Sequence, residues 1–197
     1  GNEQDALSQL QALERGTAAP LVRVESGARQ RIQRVLDYGA EGIMVPRLES
    51  PEEARNAVAA LRYPRAGSRG VAKMVRAARF GEAFDDYRQH GQEDILGVIQ
   101  IETEGCLNRL DEVAAIDGVD VLFIGPADLS MALGIFEQFD HPRFMDAVRR
   151  TAQAAAKHDK ATGVLLYNAD QFQAYHSLGF RLIACGADSA FVKAGAS

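Results

Sequence analysis

Two carboxylates, Glu102 and Asp128, stand where a parallel α/β protein would do metal chemistry. Glu102 follows the apolar run 95–101 in Q-I-E, and Asp128 follows the run 119–124 in G-P-A-D. Both runs are short, rich in Val, Ile and Leu and poor in charge, the pattern of strands buried on both faces. Parallel α/β folds gather their chemistry at the carboxyl ends of strands, so both acids are expected at one mouth. Carboxylates without a nearby cysteine or histidine suit a hard divalent cation such as Mg2+ or Mn2+, and oxygen donors alone do not discriminate these from Co2+. Such an ion has positions left for the carboxylate and keto oxygen of a 2-oxo acid. It can stabilise the charge formed when a proton leaves C3 or a C–C bond breaks. The competing reading is that each acid caps the helix after its strand, where the macrodipole favours negative charge.

Other residues fit the same chemistry. Arg23 ends the strand L-V-R, and a cation inside a barrel strand is costly unless it is paired or faces a site. Its guanidinium suits an oxygen that becomes negative in the reaction, and a salt bridge to a nearby acid is the alternative. Gln100 precedes Glu102 by two positions, so strand alternation puts both on one face; it is either a substrate-holding amide or a satisfied interior one. Gly125, Pro126 and Ala127 carry little side-chain bulk, and their backbone can approach a bound carboxylate with the Ala127 N–H as donor. Asp37 lies near a helix C-terminus, where the macrodipole disfavours an acid, so a histidine or arginine partner is expected. Residues 55–79 carry seven cations and no acid, which reads as a solvated or subunit-contact face or as a loop recognising an anionic substrate tail.

The elements that must position these groups alternate strictly. A helix capped by Asn2 opens the chain, followed by a strand at 19–24, a helix at 28–38 stopped by Gly39, and a strand at 42–45. Ser50-Pro51-Glu52-Glu53 starts a helix running to about residue 62. Residues 65–81 read as loop and 84–90 as a short helix. The strands 95–101 and 119–124 flank a helix at 106–115. A long helix at 142–158, a strand at 162–166, a helix at 170–178 and a strand at 181–185 complete the order. Six strands alternating with helices predict either a doubly wound sheet or a (β/α)8 barrel. No G-x-G-x-x-G or Walker sequence follows any strand, and the barrel is expected, incomplete by its first two strands and most of its last helix, as one domain over residues 1–197.

Composition narrows the partners. With 47% hydrophobic residues in 197, one good-sized core is accessible. No apolar run approaches the roughly 20 residues of a membrane span, and a net charge of −5 argues against general nucleic-acid or membrane binding. Cys106 and Cys185 lack zinc or C-x-x-C spacing and read as reduced core thiols of a cytoplasmic protein. None of the histidines at 90, 141, 158 and 176 stands at a strand end, so they read as surface or helix-terminal groups. No nucleophile motif and no strand-end lysine is present.

Taken together, the stretches L-V-R-V (21–24), V-L-D-Y-G-A (35–40), G-I-M-V-P (42–46), R-Y-P-R-A-G-S-R-G-V (62–71), R-A-A-R-F (76–80), Q-I-E-T (100–103) and G-V-D-V-L-F-I-G-P-A-D-L-S (118–130) resemble the HpcH/HpaI family of class II, metal-dependent pyruvate aldolases. The resemblance implies a TIM barrel of the phosphoenolpyruvate/pyruvate type and reversible cleavage of a 4-hydroxy-2-oxo acid to pyruvate and an aldehyde. It implies Glu102 and Asp128 as metal ligands for Mg2+, Mn2+ or Co2+, and Arg23 as the group stabilising the transition state. Gln100, Gly125, Pro126, Ala127, Asp128 and Leu165 fall to substrate binding, and Asp37 to tuning a catalytic histidine. That histidine belongs to a D-x-E-H-x-P segment expected upstream of Gly1. An exchanged C-terminal helix and a homo-oligomer, trimer or hexamer, are also implied. Two other readings remain: a malyl- or citramalyl-CoA-type lyase, which needs a nucleotide site, and a non-catalytic assembly subunit or fragment.

Overall fold

A computed structural model of the chain describes residues 2–91 and 94–196. In chain order the elements are α1 (Glu3–Leu13), β1 (Leu21–Arg23), α2 (Arg29–Asp37), β2 (Gly42–Val45), α3 (Pro51–Ala59), a 3-10 turn (Arg76–Gly81), α4 (Phe84–Asp86) leading into a π turn (Tyr87–Gly91), β3 (Leu96–Ile101), α5 (Glu104–Leu107), α6 (Leu110–Ala114), β4 (Val121–Ile124), α7 (Pro126–Ala132), α8 (Pro142–Lys157), β5 (Ala161–Leu166), a 3-10 turn (Ala169–Gln171), α9 (Phe172–Ser177), β6 (Phe180–Cys185) and α10 (Asp188–Gly195). Local chemistry explains the best-read starts. Ser50 Oγ accepts from the Glu53 N–H with Pro51 at the first helical position, Asn2 and Asp5 form a reciprocal capping box, and His141 caps α8 ahead of Pro142.

The six strands are all parallel and lie in the order β1-β2-β3-β4-β5-β6. With right-handed crossovers and no reversal of strand order, the connecting segments collect on one side, which excludes the doubly wound alternative with its switch point. The result is a curled half-barrel of TIM type. Among the described residues it has the six strands read from the sequence, and the eight strands of a closed barrel are not seen. The last helix also departs from expectation, since α10 forms over eight residues.

Alternation along the strands creates two apolar layers. Ile43, Val45, Ile99, Ile101, Leu122 and Ile124 face outward and pack on helix residues such as Ile32, Leu36, Val58, Val113, Phe144 and Val148. Met44, Val98, Val121 and Phe123 face inward, with Ala161, Leu165 and Leu182 packed against them. Thus β2, β3 and β4 are buried on both faces, as their unbroken apolar runs require.

Three expectations need correction. Residues 126–132 form α7, an element the sequence reading weighed only as a helix for Asp128 to cap; Pro126 at the first helical position and an acid in the first turn are a helix start. The single helix expected at 106–115 is two short ones, α5 and α6. Only Cys106 is a core thiol, because Cys185 is exposed. Burial pushes the Cys106 thiol up to about 11, and its S–H donates to the Leu48 carbonyl at 3.0 Å.

Two cations of the basic run are structural. Arg69 is 0% exposed, donates from Nη2 to Asp37 Oδ1 at 2.8 Å and from Nη1 to the Tyr87 hydroxyl at 2.9 Å, and lies over the rings of Tyr63 and Tyr87. Arg76 pairs with Glu14 and donates to the Tyr38 carbonyl. These two cations tie residues 63–91 to α1 and α2. No helix among the described residues is long and apolar enough to cross a membrane.

Close backbone approach sets the position of β3. A Cβ at Gly97 would lie 2.1 Å from the Gly118 carbonyl oxygen. Gly97→Ala is expected to destabilise the protein by about 2 kcal/mol, a fall of roughly 4–8 °C in the thermal midpoint, measured by calorimetric or circular-dichroism melting.

Candidate active site

Strand register assembles the site. Ile101 pairs with Ile124 and Ile124 with Val164, so the next inward positions, Glu102, Gly125 and Leu165, share one level at the carboxyl ends of β3, β4 and β5. Glycine at the middle position leaves the space above Phe123 open to the Glu102 side chain. A Cβ at Gly125 would lie 2.2 Å from Glu102 Oε2 and 3.1 Å from Gln100 Nε2. Its φ of −90° is open to any residue, so the requirement here is space, not conformational freedom.

Glu102 is 2% exposed. Its Oε1 accepts the Arg47 backbone N–H at 2.8 Å, and its Oε2 is buried with no hydrogen-bond partner. Burial pushes this carboxyl above the usual range. The Arg47 N–H opposes that, Asp128 adds to it by like charge, and Arg23 and Arg47 oppose it by attraction. An ionised, half-satisfied carboxylate in such a place calls for a positive partner.

Asp128 stands in the first turn of α7 rather than at the strand end itself. Its side chain is 51% exposed, and Arg47 Nη1 lies 3.8 Å from its Oδ1. Arg47 therefore touches both acids, one through its backbone and one through its guanidinium. Arg23 donates from Nε to Gln100 Oε1 at 2.7 Å. Gln100 thus orients the arginine through its oxygen, while its Nε2 faces the Gly125 gap beside the free Glu102 oxygen. Pro126 and Ala127 occupy the first turn of α7, where N–H groups have no intrahelical acceptor.

Asp37 is not brought to this cluster. It ends α2, and a helix returning from a parallel strand finishes at the amino ends of the sheet. The compensating partner expected of it is Arg69. The histidines also lie elsewhere: His90 beside Asp86, His141 capping α8, His158 beside Asp111 and His176 stacked on Phe172. The residue that sequence reasoning missed is Arg47. It follows Pro46 directly after β2, so the strand-end rule that selected Glu102 pointed to it as well.

A loop network fixes this geometry. Thr103 Oγ1 and Cys106 Sγ both donate to the Leu48 carbonyl, at 2.6 and 3.0 Å. A Cβ at Gly105 would lie 2.0 Å from the Glu49 carbonyl oxygen, so the 46–49 turn seats directly on the start of α5. The donor set fits a hard cation: an orphaned buried carboxylate oxygen, a glycine-lined space beside it, and a second carboxylate at its edge. Glu102 and Asp128 are the residues that would hold the ion.

The profile of the HpcH/HpaI aldolase/citrate lyase family matches residues 2–194. The chain belongs to that family. It is an enzyme of the lyase class, and enzymes of the HpcH/HpaI family depend in general on a divalent metal. It is 35% identical over 195 residues to a 4-hydroxy-2-oxo-heptane-1,7-dioate aldolase of Salmonella dublin, covering 99% of this chain and 74% of that protein. Among solved structures, it is 34% identical to an HpcH/HpaI aldolase/citrate lyase family protein from Burkholderia cenocepacia J2315, with a TM-score of 0.94 over 99% of this chain and 78% of the other. An HpcH/HpaI aldolase from Desulfitobacterium hafniense DCB-2 superposes with a TM-score of 0.92 at 26% identity, over 100% of this chain and 76% of the other.

For this family member, the Glu102 environment has a consequence for stability. An acid whose folded-state pKa lies above its unfolded value takes up a proton on folding. The resulting stability is present at low pH and is lost as pH rises from the ordinary carboxylate range through the raised value. Burying an unpaired neutral amide costs less than burying an unpaired charge. Without added metal, Glu102→Gln is therefore expected to be more stable than the wild type by about 1 kcal/mol at pH 7.5, with the gap closing near pH 4. Denaturant titrations at the two pH values measure it, and a less stable variant at pH 7.5 would contradict the burial account. Gly125→Ala is expected to fold yet lose Mn2+ binding by calorimetry, because its methyl takes the space beside Glu102 Oε2.

Proposed function

We propose that this lyase cleaves a 4-hydroxy-2-oxo acid reversibly to pyruvate and an aldehyde. The observation that carries the reading is the buried Glu102 carboxylate, with one oxygen committed to the Arg47 N–H, the other without a hydrogen-bond partner, and Asp128 near enough to act on it by like charge. In this reading Glu102 and Asp128 hold the divalent cation, Mg2+, Mn2+ or Co2+. When bound, the cation supplies Lewis-acid polarisation of the keto oxygen and orients the 2-oxo acid.

This chain's residues position and polarise the substrate. In the cleavage direction the C4 hydroxyl loses its proton, the C3–C4 bond breaks, and its electron pair moves toward the C2 keto oxygen. C3 then takes up a proton to give pyruvate. Arg23, held through Nε by Gln100, presents its remaining N–H groups to the oxygen that gains charge. The first turn of α7, with Pro126 and Ala127, lets backbone N–H groups meet the substrate carboxylate. Leu165 walls the same level from β5. Proton transfer is the role that the family resemblance gives to a histidine, and His90, His141, His158 and His176 all lie away from this cluster.

The CoA-lyase reading gains nothing from Arg69 and Arg76, which are committed to internal partners. Calorimetry with Mn2+ and then oxalate, an enolate mimic, tests the site directly, and aldol synthesis from pyruvate and an aldehyde tests turnover. Glu102→Gln and Asp128→Asn are each expected to lower Mn2+-dependent turnover on the order of 10²-fold or more and to abolish oxalate binding. A wild-type protein that binds neither Mn2+ nor oxalate would support the non-catalytic reading instead.

A further inference from the structure

Arg47 carries a role that neither the proposed metal site nor the aldol step uses. Its φ of 53° lies in the left-handed region, which a non-glycine residue rarely occupies without a reason in its surroundings. That conformation aims its N–H at Glu102 Oε1, and the adjacent Leu48 carbonyl is held by Thr103 and Cys106. The start of the side chain is thereby locked to the site. The side chain itself is 70% exposed, and its ionic contact with Asp128 is a loose one at 3.8 Å. In the proposed function Asp128 serves a cation, which leaves the guanidinium without a full counter-charge at the mouth.

Arg47 also lines a groove of about 470 Å³ together with Ser26, Asn56, Glu25 and Glu53. Both acids have partners: Glu25 pairs with Arg31 at 2.8 Å, and Glu53 accepts the Glu49 N–H at 2.8 Å. Among the described residues lining the groove, Arg47 is the one cation. A planar guanidinium on a fixed stem beside a reaction centre suits the fork-like recognition of a carboxylate.

We infer that Arg47 is a specificity-determining residue that binds a second carboxylate, carried by the substrate on the side away from the 2-oxo acid group. The inference rests on the proposed function for the placement of that 2-oxo acid group at Glu102 and Asp128.

The test needs no turnover. Mn2+-loaded wild-type and Arg47→Gln proteins are titrated by calorimetry with 2-oxoglutarate and with 2-oxopentanoate, which has the same chain length but no far carboxylate. The wild type is expected to prefer the dicarboxylate about tenfold or more, and Arg47→Gln to lose most of that preference. Arg47→Lys, which keeps the charge but not the fork, is expected to recover part of it. The ratio of the two affinities is the readout, so a general weakening of the site does not mimic the result. Mn2+ binding with no wild-type preference, or a preference that survives in Arg47→Gln, overturns the inference alone. A wild type that binds neither Mn2+ nor either acid overturns the proposed function and this inference with it.

Discussion

The site depends on one unfavourable placement: an acid side chain, Glu102, buried to 2% exposure with one of its two oxygens unpartnered. Folding tolerates that because the apolar layers on both sides of β3 supply the stability and carry the acid with them. Val98 and Gln100 share its face, and Ile99 and Ile101 anchor the opposite face among the helices. The acid is inward because the strand is inward. The space beside it persists because its neighbour in register is glycine.

The turn after β2 is the second constraint. The Arg47 N–H holds Glu102 in one orientation, and that turn is in turn held by Thr103, Cys106 and the backbone seat at Gly105. The loops that follow β2 and β3 therefore lock each other. Hydrogen bonds between the two loops fix the position of the Glu102 carboxylate, the kind of preorganisation that electrostatic catalysis calls for. The same coupling links the backbone conformation of Arg47 to the charge environment at the mouth.

Charge is distributed by function rather than by count. The chain is net acidic, yet two cations of its most conspicuous basic run serve architecture. Arg69, sandwiched by Tyr63 and Tyr87 and paired with Asp37, holds the irregular 63–91 segment on α2 at the end of the sheet away from Glu102. The guanidiniums at the mouth, Arg23 and Arg47, come from strand ends. Position relative to the sheet, and not local density of cations, decides which arginines can meet an anionic substrate.

The sequence by itself determined the alternation of strands and helices, the two-faced burial of β3 and β4, the caps at Asn2 and Ser50, and the placing of Glu102 at the carboxyl end of β3. Each of these follows from local pattern: apolar runs, cap residues and strand alternation act over a few residues and need no distant partner. Tertiary structure alone decided that Gln100 spends its oxygen on Arg23, that Asp37 belongs to Arg69, and that Arg47 joins both acids. Those pairs are 77, 32, 55 and 81 residues apart or bridge separate loops, and only the parallel register and the seating of the turns on one another bring them within reach.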